Sequence, residues 1–275
     1  MEDFDEEALA EAYNRGLELE AAGDLPGAIE SFREALRIDP RDHCGITIRL
    51  AAMGKADAPD KMPDAYVATL FDQHADDFDE ILVDQLGYCV PLLLREALKV
   101  HAPGPYASGL DLGCGTGLSG MALADMVGTM TGVDLSERMV EIAFDRGVYG
   151  DLYTGEAVEF LQDFEEEDGT RPSWDLIVAT DVFPYLGAVD TIIAGAADRL
   201  NAKGVFAFST ETLGTKDFAG RPYVLGASRR YAQAGSYICE MLAESGFTVL
   251  AIDDITVRAE KGTPVPGHLV IARKV

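Results

Sequence analysis

Residues 110–117, LDLGCGTG, end a short apolar run with three glycines at alternate positions behind an acidic residue. Glycine has no Cβ, so such a turn can adopt positive φ and let a ligand approach the backbone itself. A helix starting near Leu118 would point its free N–H groups at the same space. A strand, a glycine-rich turn and a helix in succession restrict the chain to an α/β unit whose ligand lies beyond the strand's carboxyl end.

From residue 64 onward that alternation continues. The segments SGLDL, GTMTGVDL, YGDLYT, WDLIVAT, GVFAFSTE, FTVLAIDD and HLVIARKV read as strands, with helices in most of the gaps. Two long helices, AYVATLFDQHADDFDEILVDQLGY and VPLLLREALKV, are expected before the first strand. Only RAEKGTPVPG separates the last two strands, so they are expected to pair as an antiparallel hairpin.

Residues 1–40 have a different character, helical and acidic. In DLPGAIESFREALRIDP one proline stands just inside a helix start and another just after its end. Against the tetratricopeptide (TPR) template of about 34 residues, with Pro40 as the final proline, Gly16, Ala28, Phe32 and Ala35 fall on the small and aromatic positions. Ala12, Arg15 and Leu19 stand where the template has Trp, Leu and Tyr. The stretch resembles one TPR repeat. Continuing the register puts Ile46, Leu50 and Met53 on a third helix, and Pro59 and Pro63 interrupt before a fourth. Residues 1–58 therefore read as a helical TPR-like segment of about one and a half repeats, and 59–275 as the α/β domain. An array needs roughly three repeats to bury a continuous core, so its open face should lean on the next domain or a second subunit. A protein-docking surface and a plain helical hairpin fit equally well.

Charge and composition exclude several classes. With 48 acidic residues against 22 basic ones the formal net charge is −26, which repels DNA and RNA at long range. No apolar run approaches the roughly 20 residues of a membrane helix, and the acidic start MEDFDEEALAEAY is unlike a secretory signal. The expectation is a cytoplasmic protein without nucleic-acid or membrane partners. Cys44, Cys89, Cys114 and Cys239 are scattered, with no zinc-type spacing, so free thiols and no metal are expected.

The glycines themselves admit two registers. Gly115-Thr-Gly117-Leu-Ser-Gly120 reads as G-x-G-x-x-G, with Asp134 at a suitable distance for a ribose, which would mean an NAD-dependent oxidoreductase. That register runs the strand through Gly113 and leaves Asp111 buried without an obvious partner. The other ends the strand at Asp111, where its carboxylate can accept hydrogen bonds from an ammonium group and from the turn's N–H groups.

LDLGCGTG followed by TGVDLSERM resembles the first two motifs of the class I S-adenosylmethionine-dependent methyltransferases, over about residues 64–275. FDQHADDFDEILVDQLGYCVP, ATDVFPYLG and SRRYAQAGSYI resemble the recurrent blocks of a subgroup with an N-terminal TPR segment. The resemblance implies a Rossmann-like, seven-stranded, mainly parallel sheet whose antiparallel last strand inserts beside the fifth. It implies S-adenosylmethionine as cofactor and S-adenosylhomocysteine as product. Asp111 and Gly113, Gly115 and Gly117 would then cradle the methionine and ribose, and Asp134, next to Leu135, would take the ribose hydroxyls. Glu156 and Ala157 would meet the adenine; Thr180 and Asp181 would line the methionine side and the substrate entrance. Two positions depart from the family pattern. Glu156 stands where Asp is frequent, and Phe78 replaces the tyrosine of an A-x-x-Y-D block, leaving Tyr66 or His74 to supply the missing polar group.

Transfer from an activated sulfonium relies on holding acceptor and methyl together in a dry pocket, with a base needed only when the acceptor must lose a proton. His74, Tyr185 and Tyr231 are the candidates for orienting or deprotonating the acceptor; surface histidine and aromatic packing are the plain readings of the same residues. The connection TLGTKDFAGRPYVLGASRRYAQAG is long and contains Lys216, Arg221, Arg229 and Arg230. In so acidic a chain, this basic group suggests an acidic small-molecule acceptor gripped by Arg229 or Arg230 near Tyr231, against arginines merely tied to carboxylates. The alternative function is methylation or scaffolding of a protein partner, with docking or self-association through residues 1–58.

Overall fold

The computed structural model describes residues 4–275. At the N-terminal end, α1 (Glu6–Ala21) and α2 (Leu25–Ile38) are each opened by an aspartate. Asp5 accepts a hydrogen bond from the Ala8 N–H and Asp24 from the Gly27 N–H. The two helices meet where a small residue faces an aromatic one: a Cβ on Gly16 would fall 2.5 Å from the Phe32 ring. Ala28, Phe32 and Ala35 are fully buried. A third helix, α3 (Ile46–Ala52), is nucleated by Asp42, whose carboxylate accepts from the N–H groups of Ile46 (2.6 Å) and Thr47 (2.8 Å). Its Ile46 and Leu50 complete the core of the first two helices. Ile48 points the other way and packs with Met62, Val67 and Tyr231, so α3 joins this segment to the rest of the chain.

The remaining helices are α4 (Asp64–His74), α5 (Val90–His101), α6 (Leu118–Leu123), α7 (Glu137–Asp145), α8 (Ala157–Asp163), α9 (Asp190–Arg199), α10 (Thr215–Phe218) and α11 (Gly235–Glu244). The strands are β1 (Tyr106–Leu112), β2 (Val127–Asp134), β3 (Asp151–Thr154), β4 (Trp174–Ala179), β5 (Leu200–Glu211), β6 (Tyr223–Leu225), β7 (Tyr231–Gln233), β8 (Phe247–Glu260) and β9 (Thr263–Lys274). Seven of them form one sheet in the order β3-β2-β1-β4-β5-β9-β8. β1 to β5 run parallel, and β9 pairs antiparallel with both β5 and β8. The terminal hairpin and its insertion beside β5 are as the sequence leads one to expect, although its strands continue through most of RAEKGTPVPG and turn only near Gly262.

Alternation along the strands divides the interior in two. Leu110, Leu112, Ile177 and Ala179 face α8, α9 and α11, whereas Leu176 and Val178 face α5. Strand order reverses between β1 and β4, and at such a switch the turns after the two strands diverge and leave a crevice.

Two segments differ from expectation. The long helix expected over residues 65–88 is broken: α4 stops at His74, a tight 3₁₀ turn covers Ala75–Asp77, and a wide π turn covers Glu80–Gln85. Apolar spacing such as Phe71, Phe78 and Leu82 suits all three windings, so periodicity does not separate them. The long connection after β5 folds into α10 and a small antiparallel ribbon, β6–β7. Among the described residues no helix is long and apolar enough to cross a membrane, and Cys44, Cys89, Cys114 and Cys239 are free thiols.

Candidate functional site

The glycine turn occupies that crevice. β1 ends at Leu112 and Gly113 has φ of 65°, so the register that carries the strand through Gly113 does not match the structure; the strand also runs one residue past Asp111, and the turn's Gly115 N–H goes to Asp134 rather than to Asp111 as expected. A Cβ at Gly113 would lie 2.5 Å from a methyl of Val182, whereas at Gly115 (φ 52°) it would project into open space. The first glycine lets the turn pass the β4 loop, and the second leaves bare backbone facing the cavity. Gly117 (φ 93°) starts α6.

Asp134, at the end of β2, fastens the turn. Its carboxylate accepts from the N–H of Gly115 at 2.8 Å and of Ser136 at 2.9 Å. Burial pushes its pKa up to about 6, and those two hydrogen bonds oppose the shift. Asp111 is fully buried behind the turn. The Tyr149 hydroxyl donates to one of its oxygens at 2.7 Å, and its Oδ1 has no hydrogen-bond partner. Burial pushes the Asp111 carboxyl up to about 7. A buried acceptor left free beside an open glycine turn suits a ligand that brings a positive group to the turn.

A cavity of about 120 Å³ lies between this turn and the α4 region. Its roof is apolar, formed by Val67 and Phe71 of α4 with Phe78, Leu82 and Tyr88. The ring of Phe71 meets those of Phe78 and Tyr185 edge-on, at 5.8 and 5.4 Å. Asp79 pins the roof to the turn by accepting from the Thr116 hydroxyl at 2.6 Å and pairing with Arg146. At one end Glu156 caps α8, accepting from the Glu159 N–H at 2.8 Å, and the Lys61 ammonium lies 3.7 Å from its other oxygen. At the other, the Thr180 hydroxyl shares a 2.8 Å hydrogen bond with Ser119.

Of the residues expected from sequence, Gly113, Gly115, Asp134, Leu135, Glu156 and Ala157 line this cavity, together with Thr180, Asp181 and Tyr185. The others lie elsewhere. Asp111 and Gly117 stand behind the wall. His74 is exposed at the end of α4, and Tyr66 packs its ring against Gly45, so neither supplies the polar group missing at Phe78. Tyr231 is fully buried and donates to the carbonyl of Pro59, tying the linker to the β6–β7 ribbon rather than facing an acceptor. Arg229 is exposed at the ribbon's turn with φ of 62°. Arg230 lies 3.6 Å from Asp181, 3.5 Å from Glu211 and over the ring of Tyr185. Neither arginine is among the residues that line the cavity, contrary to the expectation that they grip an acidic acceptor there, and Arg230 is tied to carboxylates.

Asp181 is held on the wall from several sides. It follows β4 with φ of 61°, an unfavourable conformation for a residue with a Cβ, and its N–H donates to the Ser209 hydroxyl at 2.9 Å. Its carboxylate sits between Arg230 and Arg258, the latter 3.5 Å away. Arg258 is 1% exposed and also pairs with Glu211 at 2.6 Å and Glu260 at 2.7 Å. Sequence reasoning missed Tyr88, Tyr149, Lys61 and Arg258. Tyr88 lay within a noted block, Tyr149 opened the segment YGDLYT read as a strand, and Arg258 fell in a stretch read as a turn. Among the described residues no three His, Cys, Asp or Glu side chains converge as a metal site.

Residues 110–206 match the family model described as a methyltransferase domain. The ubiquinone biosynthesis O-methyltransferase of Pasteurella multocida is 29% identical over 127 residues, 42% of this chain and 52% of that protein. The protein of the same description from Azorhizobium caulinodans is 32% identical over 124 residues, 42% and 46% of the two chains. The chain thus spans about half the length of the curated relatives it matches. The N-methyltransferase NodS of Bradyrhizobium japonicum, solved with S-adenosylhomocysteine, superposes with a TM-score of 0.56 at 18% identity, over 76% of this chain and 98% of that one. That likeness is one of fold.

Proposed function

We propose that this chain, which has the fold of the class I S-adenosylmethionine-dependent methyltransferases, transfers a methyl group from that cofactor to a small-molecule acceptor. The observation that carries the reading is the pairing of an open glycine turn at Gly115 with a buried, unpartnered acceptor on Asp111 and a strand-end carboxylate on Asp134. An ammonium group can donate to an acceptor such as the free oxygen of Asp111, which a phosphate cannot do.

Gly113 and Gly115 would hold the methionine and ribose, Asp134 beside Leu135 the ribose hydroxyls, and Glu156 with Ala157 the adenine. Thr180 and Asp181 would border the acceptor. When bound, the cofactor supplies a methyl group already activated on a sulfonium. The protein's part is to position and to exclude water. The roof of Val67, Phe71, Phe78 and Leu82 covers the turn with apolar surface. Tyr185 is the tyrosine of the earlier candidates that reaches the cavity, and burial pushes its hydroxyl up to about 12, so it orients an acceptor as a donor rather than as a base.

Residues 1–58 are read as TPR-like on the contact of Gly16 with Phe32 and the burial of Ala28 and Ala35, the template's small and aromatic positions. A protein partner or a second copy is the natural occupant of their outer face. Four free thiols favour a reducing, cytoplasmic setting. Calorimetry tests the central claim: S-adenosylmethionine and S-adenosylhomocysteine should bind with dissociation constants of about micromolar order, near −8 kcal/mol. Absence of binding by both, with NADH binding instead, would overturn it.

A further inference from the structure

The acceptor's own chemistry can be read from the wall around Asp181, taking the methyl-transfer reading as given. Three separate devices hold this carboxylate where it is. Its backbone is kept at φ 61° by the hydrogen bond to Ser209, and its two oxygens face Arg258 at 3.5 Å and Arg230 at 3.6 Å. Strain retained with so many anchors marks a position whose geometry matters.

The same arginines are already shared among carboxylates, although Nη1 of each makes only ion-pair contacts and no hydrogen bond. Asp181, Glu211 and Glu260 already surround Arg230 and Arg258, three carboxylates to two guanidinium groups. Elsewhere on the cavity wall Lys61 is the basic residue among Asp64, Asp134, Glu156 and Asp181, and it is held by Asp64 at 3.0 Å and Glu156 at 3.7 Å. The surface adjoining Asp181 is aromatic: Tyr185, with Phe71 edge-on to it, and Tyr88. Tyr88 and Tyr185 keep their hydroxyl protons, because burial raises both.

We infer that the acceptor is a small aromatic molecule, neutral or cationic, which anchors itself to Asp181 through a hydroxyl or a protonated amine while a separate atom that keeps its lone pair takes the methyl group, and that carboxylate-bearing acceptors are rejected. An ionised carboxylate placed there would have no donor to offer Asp181 and would meet a like charge in a half-dry pocket.

The test uses the full-length protein saturated with S-adenosylhomocysteine and three ring-matched probes: benzyl alcohol, benzylamine and benzoate. Binding is followed by ligand-observed NMR titration. Benzyl alcohol and benzylamine should each bind at least about tenfold more tightly than benzoate, the ratio expected from one unfavourable like-charge contact. In Asp181→Asn that ratio should shrink several-fold. Benzoate binding as well as either other probe, a ratio unchanged in Asp181→Asn, or no binding by any probe would each overturn the inference. Because S-adenosylhomocysteine is titrated first by calorimetry, failure of the cofactor reading is seen separately. The wild-type ranking stands as a test even if the variant does not fold.

Discussion

Tyr149 donates a 2.7 Å hydrogen bond to Asp111, a residue 38 positions earlier, and leaves that carboxylate's second oxygen buried without a partner. The tyrosine ring also underlies Gly120 and Gly132, where a Cβ would come within 2.5 and 3.1 Å of it. The hydroxyl and the ring thus have separable jobs. Tyr149→Phe keeps the ring and removes the donor, leaving both oxygens of a buried acid unpaired. A loss of about 1–3 kcal/mol of stability is expected, measured by urea denaturation. Stability within a few tenths of wild type would show that the Asp111 environment does not depend on this bond.

Gly113 and Gly115 are predicted to fail in different ways when changed to alanine. Both have positive φ, so each alanine carries backbone strain of about 1–3 kcal/mol. At Gly113 the new methyl also collides with Val182, and the turn must move; thermal stability should fall by clearly more than at Gly115. At Gly115 the methyl enters open space on the cavity side. That variant should fold and yet lose S-adenosylhomocysteine binding by about tenfold or more, or ~1.4 kcal/mol. Equal stability losses, or full binding by Gly115→Ala, would contradict the division of roles.

The unit β1, turn, α6 was legible because it is local: an apolar run, glycines that no other residue replaces cheaply, and a helix start lie within fifteen or so residues. Asp134 was legible for the same reason, at the end of the next strand. What escaped was pairing across long separations. Arg258 meets Glu211 47 residues away, and nothing in the polar stretch RAEKGTPVPG announces that a guanidinium there is buried. Arg230 was assigned to an anionic ligand because its neighbours in sequence are basic, whereas its neighbours in space are Asp181 and Glu211. Charge complementarity is a property of the folded surface and leaves no local pattern. His74 and Tyr231 are candidates by residue type and by their place in the recurrent blocks, and neither says which side of a helix or strand faces the cavity.

Binding should depend on pH with a defined sign. Burial raises Asp111 to about 7 and Asp134 to about 6, both from an ordinary 3.8. A carboxyl raised by folding holds its proton longer in the folded than in the unfolded chain. Its contribution to unliganded stability therefore declines as pH rises from 3.8 towards 7 and is constant above. An ammonium near Asp111 favours the ionised carboxylate, so S-adenosylhomocysteine should bind more tightly as pH rises from 5 towards about 7 and release a proton near pH 6. Calorimetry in two buffers of different ionisation enthalpy measures that proton directly. Proton uptake, or affinity flat between pH 5 and 8, would place the ammonium away from Asp111.

Tyr231 and Asp60 hold the linker that leads from α3 to the cavity. The Tyr231 hydroxyl donates to the Pro59 carbonyl, Tyr223 donates to the Asp60 carboxylate at 2.7 Å, and the Asp60 carbonyl accepts from Gly187 and Ala188. Removing one neutral hydrogen bond by Tyr231→Phe should reduce stability by about 0.5–1.5 kcal/mol. The change should speed proteolysis near residues 53–60 while leaving S-adenosylhomocysteine affinity within twofold. A large loss of that affinity without a change in stability would return Tyr231 to the binding site.

Arg258 carries the largest expected stability effect. Its side chain is 1% exposed and serves Glu211, Glu260 and Asp181 at once, and burial already raises the Glu211 carboxyl despite the two nearby arginines. Arg258→Met fills similar volume but leaves Glu211 buried without its closest cation. Breaking a buried ion pair from one side costs about 3–5 kcal/mol, because the remaining charge keeps its desolvation penalty. The partner change Glu211→Gln, made in the same background, removes that charge and should restore a substantial part of the loss. A thermal melt of the single and double variants decides the matter: a double variant no more stable than Arg258→Met would mean that Arg258 acts through Asp181 or Glu260 rather than through Glu211.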